Sequence, residues 1–259
     1  ALRLNTTANN NTAVGYQAGY ANTTGNQHAI LGRAALSSNT TGTEHTAVGH
    51  GALAANTTGN FSSALGNGAL NANTTGGNNV AVGNSALQNN TIASYNTAVG
   101  YQAGYNFNRT ADVNGGNTFI GHQSGYGVTT GQDNSFIGQN SGASITTGSN
   151  NSILGSYNGN QGGLDIRTAS NHIVLSDGDG NPRGIFTSTG IFLVGKVSAD
   201  VDVNGHRFDT DGGSFTTIST GNATHYVRSS TAAAYRFYVT EAGTVFATNP
   251  TISAISDSR

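Results

Sequence analysis

Residues 46–66 read TAVGHGALAANTTGNFSSALG, and the order of residues within this stretch decides the fold. A short apolar run ends in Gly49, an Asn-Thr-Thr-Gly segment follows, and the apolar run returns to end in Gly66, seventeen residues after the first glycine. A fixed repeat period is typical of chains built from stacked, similar turns. Asparagine and glycine tolerate left-handed backbone conformations, so the Asn-Thr-Thr-Gly segment is predicted to be a corner of each turn.

The same anchor position recurs through most of the chain. Two spacings are twenty-one residues, from Gly100 to Gly121 and from Gly155 to Ser176, and the others are seventeen. We therefore predict an all-β fold in which residues 1–190 form a parallel β-solenoid shaft of about ten turns, each with two short strands and two bends. The anchors are Gly15, Gly32, Gly49, Gly66, Gly83, Gly100, Gly121, Gly138, Gly155 and Ser176.

The residue before each anchor is always aliphatic, which predicts that this position of every turn lies in a shared core. Turns stacked at a strand spacing of about 4.8 Å would form a rod roughly 43 Å long. Such a rod is thin, and its small apolar residues are too few to bury a large core within one chain, so we expect it to associate. The predicted core residues are Val14, Leu31, Val48, Leu65, Val82, Val99, Ile120, Ile137, Leu154 and Leu175.

Two slots of the repeat vary together in size. In three turns an alanine two before the anchor, as at Ala64, goes with a leucine four after it, as at Leu70, whereas Phe119 goes with Gly125. The pattern is imperfect, since Ile30 goes with Leu36. Close-packed interiors require such compensation when two side chains share a layer, so the two slots are predicted to share a volume. In the turns where both residues are small, Tyr16 and Tyr101 are expected to fill the space.

Composition argues against several function classes. Only 8% of the 259 residues are charged, the formal net charge is −2, and the sequence has no basic cluster, so nucleic acid is an unexpected partner. No apolar stretch approaches the roughly 18 residues that span a bilayer, so no membrane insertion is expected. The chain has no cysteine, which excludes disulfides and thiolate metal sites. We predict no cofactor.

The repeats carry a family resemblance. Residues 11–19 and 96–104 both read NTAVGYQAG, and these segments resemble the head repeats of YadA-like trimeric adhesins and related repeats in bacteriophage tail fibres. The resemblance covers roughly residues 5 to 176 and implies a left-handed parallel β-roll wound as a homotrimer, with two further copies of the chain as partners. The period here is longer than that of the adhesin head.

The periodicity stops after Ser176. Residues 191–255 alternate in a β-like pattern with several aromatic residues, which predicts a smaller β-rich distal domain. The last residues, 254–259, read AISDSR and resemble the junction before the self-cleaving intramolecular chaperone of phage tail fibres, endosialidases and neck appendages. That resemblance implies that residues 256–259 begin the chaperone junction, with Ser256 and Asp257 at the cleavage site and a lysine beyond Arg259.

We expect the extra residues of the two long turns to bulge sideways, near residues 105–116 and 159–170, because a longer strand would break the ladder. These bulges carry the candidate receptor contacts, for which a host surface glycan or protein is the expected partner. With the resemblance, this favours a non-catalytic, host-attachment component of a phage tail fibre in the virion. The candidate contacts are Tyr105, Phe107, Arg109, Asp165 and Arg167.

Other functions remain open from the sequence. A bacterial trimeric adhesin head is the main alternative, and a glycan depolymerase with a groove between subunits is a weaker one. The segment from Asp177 to Asn181 reads DGDGN and suggests calcium, but the twelfth position is Ser188 rather than glutamate, so a plain turn is favoured and no metal is predicted. The seven histidines form no ligand pair and are expected in turns or on the surface. Recurrent Asn-x-Thr segments such as that at Asn22 are attributed to the corner.

Overall fold

The structure, a computed structural model, describes residues 1–110, 114–195 and 197–198, together with five strands between residues 205 and 248. The described residues form an all-β fold, and the parallel β-solenoid predicted from the repeat is confirmed. The strands are β1 (Thr12–Val14), β2 (Ala29–Leu31), β3 (Thr46–Val48), β4 (Ser63–Leu65), β5 (Val80–Val82), β6 (Thr97–Val99), β7 (Thr118–Ile120), β8 (Ser135–Ile137), β9 (Ser152–Leu154), β10 (Asn160–Gln161), β11 (Leu164–Asp165), β12 (Ile173–Ser176), β13 (Pro182–Phe186), β14 (Phe192–Val194), β15 (Gly205–Phe208), β16 (Gly213–Ile218), β17 (Ala223–Arg228), β18 (Arg236–Val239) and β19 (Val245–Thr248).

Strands β1 to β9 and β12 stack in parallel and in register, so Ala47 of β3 lies between Ile30 and Ala64 of its neighbours. Strands β1 to β9 have three residues and β12 has four, and each seventeen-residue turn contains one strand rather than the two expected. Left-handed residues interrupt the extended backbone elsewhere in the turn, as at Leu53 with a φ of 52°. The ladder nevertheless continues through the corners, where the Thr57 amide donates to the Thr74 carbonyl at 2.8 Å.

The core lies one residue away from the predicted position. In each three-residue strand the middle side chain points inward, and Ile30, Ala64 and Phe119 are buried. Successive residues of a strand point to opposite sides, so the residue directly before each anchor points outward. The prediction of a buried core was therefore wrong for the aliphatic set, which is exposed or half-exposed in this chain: Val14, Leu31, Val48, Leu65, Val82, Val99, Ile120, Ile137, Leu154 and Leu175.

The predicted size compensation is confirmed. A Cβ atom placed on Gly125 would lie 2.4 Å from the ring of Phe119, so the glycine makes room for the phenylalanine. Tyr16 and Tyr101 do not fill the remaining small slots, since they are 67% and 47% exposed. Those spaces are taken by residues of neighbouring turns, such as Leu2 and Ile30 against Gly19.

Two ladders of polar side chains run inside the shaft. In the first, each corner asparagine donates its side-chain amide to the asparagine one turn before, with Asn56 to Asn39 at 2.8 Å. In the second, a side chain in every turn accepts the next backbone amide, as Asn79 Oδ1 does from the Asn96 N–H at 2.9 Å. Buried polar groups require such partners. The asparagines in the first ladder are Asn22, Asn39, Asn56, Asn73 and Asn90.

The two long turns insert their extra residues outside the ladder. In the first, the insertion lies between Asn108, whose amide donates to Thr129, and Asn114, which bridges to Ser94; residues 111–113 lie outside the described residues. In the second, β10 and β11 form an antiparallel hairpin, and the ladder resumes where the Thr146 amide donates to the Arg167 carbonyl at 2.8 Å.

The sheet changes from parallel to antiparallel at β12. Strand β13 pairs antiparallel with β12, and β13 to β19 then follow one another as an antiparallel meander. An antiparallel pairing ends the parallel stacking at this edge of the sheet. The predicted junction residues Ser256 and Asp257 lie outside the described residues.

Candidate functional site

The outward face of the ten stacked strands exposes a series of aliphatic side chains. The residue before each anchor projects from this face, and the exposed fraction of these side chains reaches 57% at Val14 and 56% at Leu154. Because the strands are in register and parallel, the ten side chains form one continuous column along the rod. We call this column the aliphatic row.

A second column of the same face is also uncharged. It consists of the first residue of each strand, which points outward for the same reason as the aliphatic row. Serine, threonine and small or branched apolar residues occupy it throughout. Its members are Thr12, Ala29, Thr46, Ser63, Val80, Thr97, Thr118, Ser135, Ser152 and Ile173.

Contiguous exposed apolar surface of more than a few hundred Å² is uncommon on monomeric proteins and marks interaction sites. A stable interface buries about 800 Å² on each partner, and ten half-exposed aliphatic side chains in one row supply a contact of that order. The face carries no charge to be desolvated, so its burial is favourable along the whole length of the rod.

The predicted receptor contacts of the first long turn do not act together. The prediction of a receptor contact was wrong for Phe107. Its side chain is fully buried and packs edge-on against Phe119, with ring centroids 6.4 Å apart. It lies seven residues after Gly100, which is the corner position that Asn90 occupies one turn earlier. Counting from the anchor would have found this. Phe107 also ends the asparagine ladder, leaving Asn90 Oδ1 without a partner among the described residues.

The other two contacts of that turn are held to the following turn. Tyr105 is half-buried and stacks on Tyr126, with ring centroids 5.3 Å apart. The guanidinium of Arg109 donates to the Thr130 carbonyl at 2.6 Å. Both side chains therefore lie along the shaft.

The contacts of the second long turn are at the surface. Asp165 and Arg167 form an exposed ion pair at 2.8 Å beside an open depression of about 320 Å³ that Thr146 and Thr168 also line. Hydrogen bonds from Arg167 lower the pKa of Asp165, and the carboxylate in turn raises the pKa of Arg167. The hairpin that carries this pair is anchored by buried Leu164, whose carbonyl accepts from the Tyr157 hydroxyl at 2.9 Å.

The calcium-like segment is an occupied turn. The carboxylate of Asp177 accepts the backbone amides of Asp179 and Asn181 at 3.1 and 2.8 Å and is also bound by the Arg183 guanidinium. These donors, Arg183 foremost, lower the pKa of Asp177 to about 2. The carboxylate oxygens of Asp177 that would bind a cation thus accept hydrogen bonds from N–H groups. This agrees with the interpretation of the segment as a plain turn.

Two histidines are internal, which sequence reasoning missed. His28 and His45 are 2% and 1% exposed and stack with centroids 5.3 Å apart, in the ladder position that asparagine occupies in most other turns. Their position four residues before the anchor was the available signal. The corner asparagines of the Asn-x-Thr segments are also fully buried and hydrogen-bonded, as the corner interpretation requires.

Searches of protein families, curated proteins and solved structures found no match to this chain. Among the described residues, no helix has the length and apolar character needed to cross a membrane.

Proposed function

We propose that this chain is the non-catalytic shaft of a bacteriophage tail fibre that assembles as a homotrimer in the virion and attaches to a host surface receptor. The observation that carries the proposal is the aliphatic row, an uncharged face running the full length of the solenoid. The likeness of the NTAVGYQAG repeats to those of tail fibres and trimeric adhesins favours an extended, trimeric attachment protein.

A parallel trimer would bury the aliphatic row of all three chains at once. Three rods around an axis parallel to their length each turn one face inward, so every rung of the aliphatic row meets its own equivalents. Completing the burial of a half-exposed aliphatic side chain contributes about 1 kcal/mol, and the ten rungs add along the rod. Thin solenoids depend on such stacking contacts, because each turn buries little by itself.

The mass of the protein in solution tests the proposal. Light scattering should give a particle near three times the chain mass of 26.2 kDa. A folded, stable monomer, or a dimer as the final state, would contradict it.

A matched pair of variants separates the aliphatic row from exposed apolar residues in general. Leu65 and Phe61 lie in the same turn and are 49% and 51% exposed, but only Leu65 belongs to the row. Leu65→Glu places three carboxylates near one axis and should dissociate the trimer or lower its thermal stability sharply. Phe61→Glu should leave the mass unchanged. Equal effects of the two substitutions would argue against this face as the contact.

Receptor attachment is proposed for the exposed groups that project from the shaft, including the Asp165–Arg167 pair of the hairpin. Replacing both residues by alanine should leave the melting temperature nearly unchanged, because exposed ion pairs contribute about 0–1 kcal/mol. Adsorption of a fibre-bearing phage to its host measures the functional effect, and unchanged adsorption would remove the pair from the contact surface.

A further inference from the structure

Two adjacent turns carry the same surface motif in register. Tyr101, Gln102 and Tyr105 follow Gly100, and the next turn repeats the positions as His122, Gln123 and Tyr126 after Gly121. Tyr101 stacks on His122 and Tyr105 on Tyr126, each with ring centroids 5.3 Å apart and rings within 17° of parallel. The amide of Gln123 donates to Gln102 Oε1 at 2.9 Å. We call these six side chains the aromatic platform.

The aromatic platform is outside the core. Tyr101 and His122 are exposed, and the other four side chains are half-exposed. The rung beyond Tyr126 carries Ala143, a side chain too small to cover a tyrosine ring. The stacked rings are therefore accessible to a ligand at the surface.

The aromatic platform is rich in hydrogen-bonding groups. It offers three phenol hydroxyls, one imidazole and two carboxamides, and it includes no Asp, Glu, Lys or Arg. Aromatic rings bind apolar C–H surface, while hydroxyls and amides bind alcohol groups. A sugar ring presents both kinds of surface. Stacking and the amide hydrogen bond hold the side chains in place, which reduces the entropy lost on binding.

The chain contains its own comparison site. Tyr16, Gln17 and Tyr20 repeat the motif near the start of the shaft, but the next turn places Arg33 and Ser37 at the positions of the second aromatic pair. Tyr20 is engaged by Arg3, whose guanidinium lies 5.7 Å from the ring centroid. Among the described residues, the motif is present at both places, but its rings stack on those of the next turn at the aromatic platform and not at Tyr16 and Tyr20.

We propose that the aromatic platform is a binding site for a neutral glycan, such as a stretch of uncharged host surface polysaccharide. This rests on the proposed attachment function and names the receptor chemistry and its place on the shaft. An acidic polysaccharide is disfavoured because the six side chains include no Lys or Arg. Binding uses no covalent step, since the platform only stacks and hydrogen-bonds the sugar rings.

An array of immobilised bacterial polysaccharides, neutral and acidic, tests the site with the assembled protein. The unmodified protein should bind at least one neutral polysaccharide, and the pair Tyr105→Ala and Tyr126→Ala should lower that affinity about tenfold or more. The control pair Tyr16→Ala and Tyr20→Ala should bind as the unmodified protein does. Circular dichroism and light scattering on each preparation establish that the variants remain folded and assembled.

The outcomes separate the site from the function on which it rests. Binding only to acidic polysaccharides, binding to none, or equal loss in both variant pairs would overturn the glycan site. If the protein is trimeric in those cases, the fibre proposal is unaffected. If the unmodified protein is a stable monomer, the fibre proposal fails, whatever the array gives.

Discussion

At the scale of single residues, His28 and His45 replace asparagine in an internal ladder and keep its function. His45 Nδ1 accepts the Ser62 amide at 3.3 Å, and its Nε2 lies 2.7 Å from the Gly59 carbonyl, to which it donates. This arrangement assigns the proton to Nε2 and favours a neutral ring in which Nδ1 is the acceptor. Protonation of Nδ1 would lose the hydrogen bond from the Ser62 amide. Burial is the main reason that the pKa of His45 is lowered and that of His28 falls to about 4, with the neighbouring ring adding to the effect on His28.

Acid should therefore destabilise the shaft through these rings. The unfolded histidines titrate near pH 6.5 and the folded His28 near 4, so the unfolded chain binds more protons in between. Stability contributed by the neutral rings is complete above about pH 7 and declines as pH falls from 6.5 towards 4. Between pH 7.5 and 5 we expect the melting temperature to fall by about 5 °C or more, measured by circular dichroism.

The variant His28→Asn with His45→Asn is the control, because asparagine is the usual residue of that ladder position. It should lose more than half of the pH effect. The remainder is expected from His172, whose pKa is also lowered by burial. An undiminished pH effect in the double variant would exclude the stacked pair as its source.

The corner asparagines should be sensitive to truncation. Asn56 donates to Asn39 and to the Gly59 carbonyl and accepts from Asn73, so Asn56→Ala removes three buried hydrogen bonds. Asn39 Oδ1 loses its donor, whereas the Gly59 carbonyl keeps His45 and the Asn73 amide keeps the Gly76 carbonyl. Each lost hydrogen bond costs about 0.5–1.5 kcal/mol, so the total loss in unfolding free energy should be about 3 kcal/mol. Denaturant unfolding measures it. Thr58→Ala, at the exposed position of the same corner, should cost less than about 0.5 kcal/mol.

At the scale of the element, the anchor spacing predicted the ten stacked strands, but the second strand expected in each turn is not found in the described turns. The side of the strand that faces the core was not predicted correctly. The residue before every anchor is aliphatic, as at Leu65, and this constancy suggested that it is internal, whereas the pleat buries Ala64. The correlation between Ala64 and Leu70 already identified the shared internal volume. The aliphatic row was assigned to the core because a recurring aliphatic residue is compatible both with burial inside a chain and with burial between chains.

The exchange between Phe119 and Gly125 can be tested by a double-mutant cycle. Phe119→Ala should cost about 3–5 kcal/mol, and Gly125→Leu alone should be strongly destabilising because its Cβ would meet the ring at 2.4 Å. The combination restores the Ala64–Leu70 arrangement, in which leucine already adopts a φ of 50°. We expect a favourable coupling of at least about 1 kcal/mol from denaturant unfolding. Simple additivity of the two losses would show that the slots do not share a volume.

At the scale of the whole molecule, folding depends on pairing the strands in the correct register. Ten parallel strands must align with one another, and in the proposed trimer three chains must also align, so the contacts form between distant parts of the sequence and folding is expected to be slow. A detachable chaperone would meet this need, as the family resemblance of the terminal residues implies. Once it has left, the assembled fibre would be maintained by a high unfolding barrier.

The resemblance predicts cleavage after Ser256 when the chain is expressed with the chaperone downstream. We expect Ser256 to act as the nucleophile and a lysine beyond Arg259 to act as the base that activates it. On a denaturing gel the unmodified protein should separate into a fibre chain and a chaperone, and Ser256→Ala should remain full length. Cleavage of the alanine variant, or an uncut native chain, would show that this serine does not do the chemistry.

The direction of the hydrogen bonds also sets how the shaft bears load. In a solenoid the bonds between turns run parallel to the rod, so a pull on the two ends of one chain strains only the outermost turn at any moment. A released turn of seventeen residues can extend to about 55 Å, compared with the roughly 5 Å that it occupies in the stack. A single chain would therefore unfold turn by turn at low force and lengthen in steps. In the proposed trimer, tensile strength would come from the contacts between chains along the aliphatic row, which would be loaded in shear and resist together.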